Sequence, residues 1–315
     1  MRRSDERGVA LLLTLLVLTL LVALILEFDA EARREYRDAA AFRDNFKATV
    51  LARAAVQAAR GVLQQDSLKE KQTGQNFDAP TDLWAFPITN YVIGDGILNA
   101  QIEDEQGKLN LNDLGRAGPA GANALTVKKF KRLFELLQVN PDLVDAIVDW
   151  VDKDEVQEPA GAESLYYQAQ RPSYKAANAP LETLLELRLI KGITPDIIEK
   201  LSKVVTVFPI DDRKPVNINT AGPLVLQALD PRITPNMAME IIQARPFKTK
   251  EDVDRVSSFE EIAKQLRTAT QYDIKSNVFS ARMMVSVNEV TKNATVVLQR
   301  DPNNGTSTVL YYRVL

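Results

Sequence analysis

The residues best suited to chemistry form an acidic segment near the middle of the chain. Residues 142–163 contain eight carboxylates and a single base, Lys153, so the segment has a formal charge of −7. Carboxylates at this density repel one another unless water solvates them or a cation binds them. The eight acids are Asp142, Asp145, Asp149, Asp152, Asp154, Glu155, Glu158 and Glu163.

The spacing of four of these acids approaches that of a calcium-binding loop. With Asp152 at position one, acids follow at positions three, seven and twelve, as in an EF-hand: Asp154, Glu158 and Glu163. The match is partial, because Val156 and Gln157 occupy positions five and six, where an EF-hand has a ligand and a glycine. Asp149, one helical turn earlier, could supply another oxygen. A solvated acidic loop that binds nothing is the alternative.

Residue types needed for most catalysis are missing from the sequence. It contains no histidine and no cysteine, which removes the usual general base and the usual ligands of transition metals. It also lacks a glycine-rich phosphate loop and a G-x-S-x-G elbow. Paired carboxylates within one polar cluster favour metal binding over acid–base chemistry. The sequence therefore predicts a protein that is not an enzyme.

The N-terminal sequence predicts a membrane anchor that continues as a helical stem. Residues 9–26 are uncharged and mostly aliphatic, and as a helix they would be roughly 27 Å long, close to the hydrocarbon thickness of a bilayer. Apolar residues then recur every three or four positions from Phe28 to Val62. No glycine or proline lies between Gly8 and Gly61, so one helix can include both the span and a stem over residues 27–64.

Charged residues before the span predict its orientation. Arg2, Arg3 and Arg7 favour a cytoplasmic leader, residues 1–8, with the body of the chain on the opposite side of the membrane. A cleaved secretory signal is the alternative, with a small-x-small site at residues 30–32. The apolar run exceeds the signal core of about 7 to 15 residues, and acidic residues crowd the site. These features favour an anchor.

Strand patterns lie on both sides of a long helical region. A hairpin is predicted around residues 94–96, a third short strand at residues 109–112, and further alternating strands near the C-terminus. We therefore predict an α+β fold in which an antiparallel sheet is formed by residues 76–116 and residues 275–315. An all-α domain, residues 117–274, is inserted between these two parts of the sheet.

The inserted region contains a segment similar to a helix-hairpin-helix. DNA-binding hairpins use a Gly-x-Gly turn whose backbone amides reach phosphate, whereas the turn at residues 230–235 has no glycine. Residues 215–275 hold eight bases and eight acids, without the basic excess that phosphate binding requires. We therefore predict a structural hairpin and no nucleic-acid partner. A membrane-anchored DNA receptor that uses Arg232 or Arg245 is the alternative.

Several motifs together resemble the minor pseudopilin K family of type II secretion systems. The leader resembles those cut by prepilin peptidases, which implies cleavage after Gly8 and methylation of Val9 at the new N-terminus. Leu13 stands where most pseudopilins have Glu, and pseudopilin K characteristically lacks that Glu. The acidic segment resembles the family's DWxDxD … GAExxYY segment. Residues 107–112 (GKLNLN), residues 216–221 (VNINTA) and the final strands extend the resemblance over nearly the whole chain.

The resemblance implies a pilin-like fold with helix-hairpin-helix-like, or SAM-like, modules in the insert. It implies a calcium ion bound by five acids: Asp149, Asp152, Asp154, Glu158 and Glu163. It implies a non-enzymatic subunit, anchored by one span in the inner membrane with its body in the periplasm. Its partners would be prepilin peptidase, the inner-membrane secretion platform, and minor pseudopilins I and J, with which it would cap the pseudopilus and prime its assembly. A minor pilin of a type IV pilus is the alternative.

Overall fold

The computed structural model describes residues 5–116, 122–210 and 212–315. The α-helices are α1 (Asp5–Thr73), α2 (Ala122–Leu136), α3 (Leu143–Val151), α4 (Ser164–Gln168), α5 (Pro195–Leu201), α6 (Pro223–Leu229), α7 (Pro235–Gln243) and α8 (Glu260–Thr268). The strands are β1 (Ile88–Ile93), β2 (Gly96–Asp104), β3 (Leu109–Asn110), β4 (Val205–Thr206), β5 (Val216–Asn217), β6 (Tyr272–Asp273), β7 (Val278–Val287), β8 (Val290–Arg300) and β9 (Ser307–Val314). Short 3-10 helices are Leu83–Ala85, Glu105–Gly107, Leu111–Asp113, Leu184–Leu189 and Asp252–Arg255.

Helix α1 is one uninterrupted helix of 69 residues, about 100 Å long. The prediction of a single helix through span and stem is thus confirmed. The helix continues past residue 64, the predicted end of the stem, because the Gln and Lys residues that follow Gly61 favour helix. Gly61 itself is solvent-exposed and does not interrupt the helix. It ends at Thr73, where Gly74 adopts a positive φ of 70° that a helix C-terminus favours.

The N-terminal part of α1 is long and apolar enough to cross a membrane. Its best 18-residue window has a mean hydropathy of 3.2, and none of that window is buried within the chain. It is the one helix among the described residues that meets this test of length and composition. Arg2 and Arg3 of the predicted leader lie outside the described residues.

The C-terminal half of α1 packs against a five-stranded sheet. The strand order is β1-β2-β7-β8-β9, and every neighbouring pair is antiparallel. Small side chains on one face of α1 bring the helix close to the sheet, and they are buried at 0 to 7 % exposure: Ala48, Ala52, Ala55 and Ala59. Alternate residues of β7 and β8 face them, including Met283, Val285 and Val296.

The pairing of β2 with β7 shows that the helical region is inserted into the sheet. Asp104, at the end of β2, lies opposite Phe279 at the start of β7, although the residues between them form the helical region. The predicted α+β fold with a helical insert is therefore confirmed, but the insert is not all-α, because it also contains the short strands β3 to β6. The predicted third strand does not belong to the main sheet. Leu109–Asn110 pairs with Val205–Thr206 inside the insert. The insert thus begins after Asp104, and its predicted first residue, Ala117, lies outside the described residues.

The insert consists of two modules that are closed in the same way. The first is closed by the parallel pair β3–β4 and the second by the parallel pair β5–β6. Each module has a buried asparagine that bonds the backbone of a distant loop. Asn112 binds the amide and carbonyl of Leu181, at 2.7 and 3.0 Å, and Asn219 does the same with Phe247, at 2.8 and 2.9 Å. Both side chains satisfy buried backbone groups that no strand reaches.

The insert lies at the C-terminal end of α1. The chain leaves the sheet after Asp104 and returns through Lys275, whose ammonium is 2.9 Å from the carboxylate of Glu70 in the last turn of α1. The apolar part of α1 is at the opposite end of the helix. From residue 26 to Thr73 the helix rises about 70 Å, so the insert is held far from the apolar segment.

Candidate metal centre

Helix α3 and the loop that follows it position the acidic segment. Asp145 and Asp149 lie one turn apart on α3, and both are buried. The amide of Glu158 donates to Asp149 at 3.0 Å and that of Ala160 donates to Asp145 at 3.4 Å, so the loop folds back over the helix. Lys131 of α2, 2.7 Å from Asp145, neutralises that carboxylate. These two acids therefore hold the loop in place.

Three other carboxylates converge at the rim of this loop. Asp152, Asp154 and Glu163 each present an oxygen, and the three oxygens lie within 4.8 Å of one another. Asp152 follows the last residue of α3, and Glu163 precedes the first residue of α4. Carboxylate oxygens at this spacing are the ligands that Ca²⁺ prefers.

The buried oxygens of this trio lack hydrogen-bond donors. Asp152 Oδ1 and both carboxylate oxygens of Glu163 are buried without a partner among the described residues. Burial raises the pKa of Asp152 to about 6, and the negative charge of Asp154 adds to the shift. Burial raises the pKa of Glu163 to about 7, with further contributions from Asp149 and Asp152. Orphaned, crowded carboxylate oxygens of this kind fit a hard divalent cation.

Two of the five predicted ligands lie outside this trio. Asp149 is fully buried, and its carboxylate accepts backbone hydrogen bonds from the loop. Burial raises its pKa, and the amides of Glu158 and Ala162 oppose the rise. Gly161 packs directly on this carboxylate, since a Cβ there would be 1.9 Å from Asp149 Oδ2. Glu158 is exposed, and its carboxylate is not among the converging oxygens.

Residues that were not predicted to be metal ligands also shape the site. Glu155 accepts from the hydroxyl of Ser164 at 2.9 Å and from the amide of Asn178 at 3.1 Å. Lys191 donates to the carbonyl of Gly161 at 2.9 Å. These contacts come from segments up to 30 residues away, so no local sequence pattern indicates them. These contacts hold the loop in place, and none of them involves the carboxylates of the trio.

Trp150 anchors the same region in the core of the insert. It is 3 % exposed and meets the ring of Tyr167 edge-on at a centroid distance of 5.1 Å. The prediction that Trp150 packs in the core is confirmed.

A second group of acids lies near the end of α1, but an arginine neutralises it. Oxygens of Asp66, Asp78 and Asp82 approach within 4.8 Å of one another. Arg300 of β8 is 1 % exposed, and its guanidinium contacts Asp78 at 2.6 Å and Asp66 at 3.2 Å. Lys275 adds a second cation to the group through Glu70. Because a cation of the chain is already in place, this group is a structural ion-pair node.

The arginines considered for DNA binding are engaged within the fold. Helices α6 and α7 form the predicted hairpin, and Arg232 between them is paired with Asp230 at 2.9 Å. Arg245 donates to the carbonyl of Ala221 at 2.6 Å, and burial lowers its pKa to about 10. Neither guanidinium extends from the hairpin as a free phosphate ligand, which weakens the DNA-receptor alternative.

Comparison with known families finds matches in both modules of the insert. Two family models, both described as type II secretion system protein K, match residues 107–210 and residues 216–275. These ranges coincide with the two modules closed by β3–β4 and by β5–β6.

Individual relatives extend the similarity beyond the insert. The type II secretion system protein K of Klebsiella pneumoniae is 33 % identical over 253 residues, 76 % of this chain and 75 % of its own length. That of Pseudomonas aeruginosa is 33 % identical over 263 residues, 79 % of this chain and 76 % of its own length. That of Aeromonas hydrophila is 28 % identical and covers 95 % of this chain and 94 % of its own length.

A solved structure shares the fold. A chain in the crystal structure of the GspK-GspI-GspJ complex from the enterotoxigenic Escherichia coli type 2 secretion system superposes with a TM-score of 0.74 at 23 % identity. The match covers 87 % of this chain and 97 % of that chain. The arrangement of helix, sheet and insert is therefore a known one.

Proposed function

Since this chain belongs to the type II secretion system protein K family and is a minor pseudopilin, we propose that it caps the tip of the periplasmic pseudopilus. It assembles there with minor pseudopilins I and J, the counterparts of GspI and GspJ in the similar complex, and primes filament growth without catalysing a reaction. The apolar end of α1 anchors it in the inner membrane, and the sheet and insert lie in the periplasm. The inner-membrane secretion platform is a further partner.

The position of the insert is the observation that carries this proposal. The insert extends from the end of the sheet next to Glu70, while the membrane-spanning segment is at the other end of α1. In a filament whose helices stand side by side, an insert there covers the surface on which the next subunit would be stacked. A bulky end of this kind suits a terminal subunit and hinders an internal one.

Leu13 supports the same position. A pseudopilin with Glu at this site can neutralise the free amine of the neighbouring subunit ahead of it, whereas leucine cannot. An amine left unpaired in an apolar filament core is costly, so the loss is best tolerated where no subunit lies ahead. Leu13 is thus compatible with the tip and unfavourable elsewhere in the stack.

We expect Leu13→Glu to weaken the preference of the chain for the tip, because the new carboxylate could neutralise the amine of a subunit ahead, although the insert would still hinder an internal position. Sheared pseudopili should contain about one copy of the native chain each, because a head-to-tail stack has one top subunit. The variant should exceed that ratio, as measured by quantitative mass spectrometry of isolated filaments. Leu12→Glu is the matched control, since it adds the same charge one residue earlier. If native and Leu13→Glu chains occur at the same ratio, the charge argument fails; many native copies per filament would contradict capping itself.

We expect the mature chain to begin at methylated Val9. Prepilin peptidase would cut after Gly8, and the intact mass of protein extracted from its own cells measures the product. Gly8→Leu should block cleavage without disturbing the fold, since nothing lies within 4 Å of a Cβ at residue 8. A native chain that begins at Met1, or just after Ala32, would contradict this processing.

A calcium ion bound by Asp152, Asp154 and Glu163 completes the proposed function. The orphaned oxygens of Asp152 and Glu163 support this assignment. A cation at this point would join the end of α3 to the start of α4 and hold the acidic loop in one shape. Asp149 contributes by fixing the loop backbone on which the ligands stand. The acidic loop would then hold one shape only when calcium is present.

A further inference from the structure

A cavity lies where the two modules of the insert meet. It has a volume of about 240 Å³ and is bounded by β3, by α2, by the segment leading into β5 and by the segment leading into β6. This volume is below the range of about 300–1,000 Å³ that is typical of pockets for organic ligands. The cavity therefore suits a small ligand.

Basic side chains predominate on the walls of this cavity. Lys108, Lys129, Arg213 and Lys214 line it, and Asp113 is the one carboxylate among the described lining residues. Lys108 and Lys214 are already paired, with Glu105 at 2.9 Å and with Asp212 at 2.6 Å. The unbalanced charge is thus concentrated at Lys129 and Arg213.

Asp113 is the one carboxylate among the described residues lining the cavity that can offset the charges of Lys129 and Arg213. Arg213 Nε is 3.8 Å from Asp113, which Arg116 also approaches at 3.5 Å. The ammonium of Lys129 donates to the neutral side chain of Gln271, and no carboxylate of the described residues lies within ion-pair distance of it. Burial, together with the nearby positive charge of Arg213, lowers the pKa of Lys129 to about 8. Two cations that repel each other across a cavity favour an anion between them.

We propose that this cavity binds a small oxyanion, phosphate or a carboxylate, between Lys129 and Arg213. The guanidinium of Arg213 is oriented by the hydroxyl of Thr126, which accepts from Nη2 at 3.1 Å. Guanidinium and ammonium groups form short, charge-assisted hydrogen bonds to oxyanions. The bound anion connects α2 of the first module to the segment that opens the second. It stabilises the junction of the modules, and this role does not depend on capping or on secretion.

Thermal unfolding of the full-length chain in non-ionic detergent tests the proposal. Trp84 and Trp150 fluorescence reports unfolding in calcium-free sodium phosphate, sodium acetate and sodium chloride at matched ionic strength. We expect phosphate or acetate to raise the unfolding temperature above that in chloride, and calorimetric titration to give the dissociation constant. If phosphate alone stabilises the chain, the ligand is of the phosphate type. If both anions stabilise it, a single carboxylate group is sufficient for binding.

Substitutions on α2 separate the site from general charge effects. Lys129→Gln should raise the dissociation constant roughly tenfold or more, the size expected when one charge-assisted hydrogen bond is lost. Lys128→Gln removes the same charge from the exposed neighbouring residue and should leave the affinity unchanged. Arg213→Gln should weaken binding as Lys129→Gln does. Equal unfolding temperatures in all three salts, or equal affinities of the Lys128 and Lys129 variants, would overturn the proposal.

Discussion

Replacing Arg300 by methionine should lower the free energy of unfolding by about 3–5 kcal/mol, the usual cost of removing one partner from a buried ion pair. The guanidinium contacts Asp78 at 2.6 and 2.7 Å, Asp66 at 3.2 Å and Glu70 at 3.6 Å, and all three carboxylates are buried. Without Arg300 these charges stay inside the protein, and Lys275, which pairs with Glu70, is the one remaining cation in ion-pair contact with them among the described residues. Urea unfolding followed by fluorescence measures the change, since Trp84 packs 5.1 Å from Phe279 and the guanidinium lies 4.9 Å over that ring.

Arg282→Met is the matched control for this substitution. Arg282 lies on β7, and its side chain is 61 % exposed where it pairs with Glu103. Exposed pairs contribute about 0–1 kcal/mol, so this variant should unfold almost like the native chain. Similar losses for the two variants would show that Arg300 acts through its strand position and not through its buried charge.

The cost of Arg300→Met should also depend on pH. In the native chain burial raises the pKa of Asp66 to about 6, with Asp82 and Glu70 adding to the rise. A raised folded-state pKa means that protonation favours the folded state, so this stabilisation is present below about pH 4 and is lost as the pH rises through about 6. Loss of Arg300 raises the pKa further. The destabilisation should therefore be larger at about pH 8 than at about pH 5; an equal loss at both would contradict the charge explanation.

Calcium should raise the unfolding temperature of the full-length chain. At a free concentration 100 times the dissociation constant, binding to the folded state adds about 2.7 kcal/mol. For a unit of 150–250 residues this corresponds to roughly 5–10 °C. Trp150 lies in α3, two residues before the proposed ligand Asp152, so its fluorescence reports the part of the chain that the ion stabilises. Chelator should reverse the shift.

A pair of identical substitutions at the two ends of α3 tests whether the trio is responsible. Asp152→Asn should abolish the calcium response and, without calcium, should unfold at a higher temperature than the native chain because it relieves charge crowding. Asp142→Asn, at the exposed start of the same helix, should respond like the native chain. The site would be rejected if calcium shifted the Asp152 variant as much as the Asp142 variant, or if it had no effect on the native chain.

Much of the architecture could be predicted because the spacing of apolar residues along the sequence indicates the helices and strands. The unbroken apolar and amphipathic repeat predicts α1, and the alternation on both sides of a helical region predicts an insert in a sheet. The predicted strand at residues 109–112 is found in part, because Leu109–Asn110 form a strand inside the insert and Leu111–Asp113 form a 3-10 helix. A two-residue strand whose partner is Val205–Thr206 has no local signature, and its pairing is decided by the closure of the module.

The acidic site was only partly predictable because spacing along the chain does not show which carboxylates the fold brings together. Counting along the loop gives Asp152, Asp154 and Glu163, which the fold brings together. The same counting adds Glu158, whose carboxylate lies outside the converging oxygens. Helical spacing adds Asp149, whose carboxylate bonds the loop backbone. Arg300 did leave a signal, because it continues the inward alternation of Ala294, Val296 and Leu298 along β8.

The continuity of α1 has a mechanical consequence. Its last turns are tied to β8 by Arg300, through Asp66 and Glu70, and to the segment leaving the insert by Lys275. A load applied to the insert would therefore act on a cross-linked junction instead of peeling single strands from the sheet. From there it would travel along about 70 Å of helix that contains no kink-forming residue except the exposed Gly61. Helix α1 would therefore transmit a compressive force between its apolar N-terminal part and the insert with little bending.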